Sequence, residues 1–193
     1  MLSWFTAPLL EHLYIHDNNR HTFIHNPQSH ERALTSLIQR SSCHIRRLAF
    51  KDCTAEEIRI VLKALPNIEE LSVTHRSALD IIQDITPGLD GCIYLPKLQV
   101  LQVAYLARGY GIENAVTVFS RLLEAQGKGM PHPGHDIVPL EKFVVCLTLL
   151  GEVPDEVLEV MHGWPSFAQV CINGSVLKRL APSLQSTPMA MQE

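Results

Sequence analysis

No two cysteines of this 193-residue chain stand in a C-x-x-C pair, and their number, five, is odd. A secreted disulfide scaffold would be shorter and denser in cysteine. Cys43, Cys53, Cys92, Cys146 and Cys171 therefore read as free thiols of a reducing compartment, cytoplasmic or nuclear. A basic excess is missing too. Lys+Arg 16 against Asp+Glu 20 leaves a formal charge of −4, which argues against a protein built mainly to hold phosphate backbones. The basic cluster Arg46, Arg47 and Lys51 is followed at once by Asp52, Glu56 and Glu57, so no basic stripe accumulates and no nucleic-acid partner is expected. Long apolar runs are absent: Phe143 to Leu150 is far short of the ~20 residues of a membrane span, and no membrane partner is expected. Leu2 to Leu10 is apolar, but no Lys or Arg precedes it, and Glu11 and His12 follow without a small-residue cleavage pattern. It reads as the approach to a core strand.

What is present is a globular composition, 46% hydrophobic and 19% charged, in a length that fits about one domain. We expect that domain over residues 1–184 and a disordered tail over 185–193, which has little to bury. Within it one template recurs: apolar, two variable, apolar, one variable, apolar. It occurs as Leu10-x-x-Leu13-x-Ile15, Ile45-x-x-Leu48-x-Phe50, Ile68-x-x-Leu71-x-Val73 and Leu98-x-x-Leu101-x-Val103. Weaker copies are Leu140-x-x-Phe143-x-Val145 and Phe167-x-x-Val170-x-Ile172. The starts at 10, 45, 68, 98, 140 and 167 give intervals of 35, 23, 30, 42 and 27 residues. Two copies share a lead, Leu65-Pro66-Asn67 and Leu95-Pro96-Lys97. The last two apolar positions alternate with variable ones, which is a strand with one buried face.

Helical stretches lie between the copies. Glu31 to Arg40 spaces Ala33, Leu34, Leu37 and Ile38 on one face. Ala55 to Leu65 is the clearest: Thr54 and Glu57 form a capping box, and Ile58, Val61, Leu62 and Leu65 make an i, i+3, i+4, i+7 stripe. Leu79 to Ile85 is short and stops before Pro87-Gly88. Glu113 to Gln126 carries Val116, Phe119, Leu122 and Leu123, with Gly127 to end it. Asp155 to His162 follows Pro154, whose fixed φ suits a helix start. Strand–helix alternation implies a parallel sheet. A doubly wound sheet would bury both faces and read as continuous apolar runs. Here the variable positions include His12, His16, Arg47, Lys51, Glu70, Thr74, Gln102 and Lys142, so one sheet face is wet. We expect an α/β solenoid of about six irregular strand–helix units, with a curved parallel sheet on the inside and helices outside.

The phrases LPNIEELSV (Leu65 to Val73) and LPKLQVLQV (Leu95 to Val103) resemble leucine-rich repeats. That pattern also asks for Asn or Cys three places after the last apolar position. Asn18 and Cys53 satisfy it; Arg76, Leu106, Thr148 and Ser175 do not. The unequal intervals are similar to the irregular repeats of fungal F-box proteins, and HIRRLAFKDCTAEEIRIVLKALPNIEELSV resembles the texture of their C-terminal halves. The resemblance covers about Leu9 to Ser175. It implies the target-binding part of a Skp–cullin–F-box ubiquitin-ligase substrate receptor, with a protein marked for degradation as partner. The F-box itself is absent from this chain. We therefore expect a fragment, a truncated gene model or a protein that has lost its adaptor module, and a Skp-type adaptor is a partner only if an F-box lies upstream. The alternative is a stand-alone interaction scaffold unrelated to ubiquitin, and a third reading is an α/β enzyme.

Chemistry-bearing patterns are sparse. His12 and His16 would stand about 13 Å apart on a strand and cannot share an ion. His21 and His25 fall in a polar loop. His132, His135 and Asp136 cluster in a long loop without a ligand set of zinc spacing. Gly109-Tyr110-Gly111 has Asn114 where a dinucleotide loop needs its third glycine. Gly127-Lys128-Gly129 lacks the Ser/Thr and the spacing of a phosphate loop. Cys43 and His44 are adjacent, so on extended chain they point apart. No catalytic, metal or cofactor site is expected, and the chain reads as non-enzymatic. The functional expectation is protein binding on the wet face. Its rows are His12, Tyr14, His16; Arg47, Ala49, Lys51; Glu70, Ser72, Thr74; Val100, Gln102, Ala104; Lys142, Val144, Cys146; and Gln169, Cys171, Asn173. The basic and titratable N-terminal rows suit an acidic partner segment, held in a pH-sensitive way by the histidines.

Overall fold

Thr54 shows how local chemistry sets an element. Its side chain accepts from the Glu57 N–H while the Glu57 carboxylate accepts from the Thr54 N–H, and the helix begins at the next residue. The computed structural model describes residues 7–16, 27–74, 77–86, 93, 95–108, 111–127, 138–150 and 152–178. In chain order the elements are β1 (His12–His16), α1 (Pro27–Ser41), β2 (Arg47–Lys51), α2 (Ala55–Ala64), β3 (Glu70–Thr74), α3 (Ala78–Ile85), β4 (Val100–Arg108), α4 (Gly111–Gly127), β5 (Lys142–Leu150), α5 (Asp155–His162), β6 (Ala168–Ile172) and β7 (Ser175–Lys178). The expected helices are all present. The first starts earlier than its apolar spacing indicates, at Pro27, where a missing N–H costs nothing.

The strands form one seven-stranded sheet whose order is the chain order. β1 to β6 are parallel and β6–β7 is antiparallel. Alternation does the sorting. Leu48, Phe50, Leu71, Val73, Leu101, Val103, Phe143, Val145, Ala168 and Val170 are all 2% exposed or less. They pack with Ile58 and Leu62 of α2, Ile81 and Ile82 of α3, Phe119 and Leu122 of α4, and Met161 of α5 in one core. Each Val, Leu, Ile, Phe or Met among them contributes roughly 1.5–3 kcal/mol by leaving water, so this face holds the fold together. Each helix packs on the next, α1 on α2 through α4 on α5. Phe119 anchors the C-terminal half, edge-on to Phe143 at 5.7 Å and to Trp164 at 6.2 Å. The Trp164 indole N–H donates to Ser120 Oγ at 3.0 Å, which satisfies the one polar atom of that ring.

The strands begin alike. The Glu11 carbonyl accepts from the N–H groups of Arg46 and Arg47, Arg46 from Glu69 and Glu70, Glu69 from Gln99 and Val100, and Gln99 from Glu141 and Lys142. The pattern ends there. The template predicts Phe143 opposite Val170, but Phe143 lies opposite Ala168. The slip of two residues keeps the buried face buried, because side chains alternate with period two. It follows from a different start: the Phe167 carbonyl accepts from Phe143, and Ala168 turns in on Pro165.

β7 was not expected from the repeat. Asn173 and Gly174 have φ of 48° and 81°, the two positive values of a tight hairpin turn. Asn173 therefore leaves the strand and is no part of the wet-face row assigned to it. Its N–H donates to the Leu147 carbonyl and its Oδ1 accepts from Leu149. The tail 185–193 and the residues 1–6 lie outside the described residues. Among the described residues no helix is long and apolar enough to cross a membrane.

Candidate functional site

The sheet face opposite the core carries the candidate residues, and register aligns them into lateral rows. His12, Arg47, Glu70, Val100 and Lys142 form the first. Tyr14, Ala49, Ser72, Gln102, Val144 and Gln169 form the second. His16, Lys51, Thr74, Ala104, Cys146 and Cys171 form the third. The nine residues picked out by alternation, His12, Tyr14, His16, Arg47, Lys51, Glu70, Thr74, Gln102 and Lys142, thus share one face.

Side-chain size shapes that face. Ala49 and Ser72 are small and sit between Tyr14 on one side and Gln102 on the other. A trough of about 400 Å³ opens over them, lined by His12, Tyr14, Arg47, Glu70, Val100 and Gln102 among others. Tyr14 stands 60% exposed at its rim, an unusually bare aromatic for a folded chain. Its ring lies 6.0 Å from that of His16 at a tilt of 46°.

Register also pairs charges. Arg47 Nε donates to Glu70 Oε1 at 2.9 Å across the first row. His16 Nε2 is 3.3 Å from Asp52 Oδ2. Among the described residues Lys51 and Lys142 have no carboxylate within ion-pair distance, so they supply the uncompensated positive charge of the face. At the head of the strands Arg46 Nε and Nη2 both donate to Glu69 Oε2, at 2.9 and 2.6 Å. That hydrogen bond holds the Glu69 carboxyl below the usual carboxylate range and pushes the Arg46 guanidinium up.

The remaining residues singled out by sequence fall in several places. Cys53 is buried, and its Sγ donates to the Ile15 carbonyl at 3.7 Å and to the Lys51 carbonyl at 3.4 Å. Cys43 is buried and His44 exposed, as extended adjacent residues should be. Among the described residues no three His, Cys, Asp or Glu side chains gather to hold a metal. Asn18, His21, His25, Arg76, Gly109, Tyr110, Lys128, Gly129, His132, His135 and Asp136 lie outside the described residues. The Arg47–Glu70 pair was missed in sequence because each residue was read in its own copy. The signal available was their identical position at the start of consecutive strands.

Comparison with protein-family models, with curated proteins and with solved structures finds no match to this chain.

Proposed function

We propose that this chain is a non-catalytic protein-recognition domain of leucine-rich-repeat type that holds an acidic segment of a partner protein on its open sheet face. The observation that carries the reading is the trough over Ala49 and Ser72, with bare Tyr14 at its rim and Arg47 in its wall. Tyrosine and arginine are among the side chains most enriched at the energetic centres of protein interfaces. Lys51 one row away adds uncompensated charge, and rim cations steer an acidic partner. Chain-ordered parallel strands and the recurring shared acceptor at their starts support a repeat-built solenoid. The likeness to fungal F-box proteins extends the proposal to the target-binding part of a ubiquitin-ligase substrate receptor.

The test uses fluorescence polarisation with labelled peptides of graded Asp/Glu content, alongside neutral and basic controls. Acidic peptides should bind, and Arg47→Glu with Lys51→Glu should weaken them at least tenfold, about 1.4 kcal/mol. Unchanged affinity in that double variant would overturn the site. The ubiquitin extension is tested separately, by asking whether the endogenous protein carries a Skp-type adaptor through purification. Its absence leaves a free-standing scaffold.

A further inference from the structure

Two thiols lie side by side at the far end of the open face. Cys146 of β5 and Cys171 of β6 are register partners on neighbouring parallel strands, and alternation turns both away from the core. Cys146 is exposed and Cys171 half-buried, whereas Cys43 and Cys53 are buried. Neighbouring strands run about 4.8 Å apart. That is within the ~4.4–6.8 Å between Cα atoms that a disulfide bridges. Such a bridge would close without moving either strand to a new register.

The two sulfurs are not equivalent. Gln169 Nε2 donates to Cys171 Sγ at 3.9 Å, while Cys146 is the more exposed of the two. The Cys146 thiol is pushed up by burial among its row neighbours and by the facing Cys171.

We propose that Cys146 and Cys171 are a reversible dithiol–disulfide couple, oxidised by exchange with a low-molecular-weight disulfide of the glutathione class. One of the two protein sulfurs, as thiolate, attacks one sulfur of that disulfide. A protein–glutathione bond forms, the small disulfide's S–S bond breaks, and one glutathione thiolate leaves. The other cysteine then gives its proton to water and its sulfur attacks the first. The second glutathione leaves as thiolate, and Cys146–Cys171 is closed. Two protein thiols are oxidised by two electrons and one small disulfide is reduced to two thiols. The bridge covalently ties β6, and with it the β6–β7 hairpin, to β5. None of this rests on the partner reading, since it needs only the register of β5 and β6.

The experiment takes the full chain with Cys92→Ser, because Cys92 lies outside the described residues. It is incubated with glutathione disulfide, quenched in acid and weighed intact. The expected product is about 2 Da lighter, the mass of two hydrogens. Its digest should contain Cys146 and Cys171 peptides linked to each other, and dithiothreitol should restore the starting mass. Cys146→Ser should stop at a stable glutathione adduct on Cys171. Cys171→Ser should likewise stop at a glutathione adduct on Cys146. Glutathione on both cysteines with no link between them would overturn the couple.

Discussion

Arg46 and Glu69 stand 23 positions apart in the chain yet share two hydrogen bonds, because consecutive strands start from a common carbonyl. The contribution of the pair has a definite pH sign. The Glu69 pKa is lowered in the folded chain, chiefly by the Arg46 hydrogen bond, so its stabilisation is present above the unfolded carboxylate range. It disappears as pH falls through the folded value, while Arg46, with its pKa raised, stays charged throughout. Urea denaturation should show Glu69→Gln slightly less stable than the parent at neutral pH and level with it in acid. A gap that persists in acid would assign the loss to packing instead. The effect is small because both side chains face water. Alternation alone was enough to assign Tyr14, Lys51 and Gln102 to the open face. The pairing of Arg47 with Glu70 was not legible, since an ion pair depends on lateral register, which single copies of the template do not contain.

Helices and parallel strands were legible because their apolar spacing is imposed by burial on one side. The β6–β7 hairpin obeys a different rule. Ser175 to Lys178 is four residues long and carries no repeat template, so its only sequence signal is Asn173-Gly174. Positive φ at both residues is what a two-residue hairpin turn of this hand requires. Around Gly174 an added Cβ would meet nothing within 4 Å, so substitution there tests backbone conformation without crowding. Gly174→Ala should cost about 1–2 kcal/mol from the left-handed conformation alone. At roughly 2–4 °C per kcal/mol for a chain of this size, Tm should fall by a few degrees. An unchanged Tm would mean that the hairpin contributes little to global stability. The two-residue slip of β6 belongs to this scale too: Phe167 matches the template but is half-buried, while Ala168 takes the buried position beside Phe143.

At the scale of the molecule, among the described residues each strand pairs only with its chain neighbours and each helix packs chiefly on the next. Stability of such an arrangement is unevenly spread, because terminal strands have one partner and central strands two. None of the β1 residues is fully buried, whereas Leu71, Val73, Leu101, Val103, Phe143 and Val145 in β3 to β5 are. Amide hydrogen exchange should accordingly be slowest in β3, β4 and β5 and fastest in β1 and β7. Uniform protection extending to β1 would refute this gradient. The lateral rows have one more consequence. Connections of unequal length deliver His12, Arg47, Glu70, Val100 and Lys142 to the same line across the sheet. The chain thus writes on its open face in a fixed grid, while the stitching behind it varies. A lineage of such chains can exchange one letter of the grid, or lengthen one stitch, without rewriting the other.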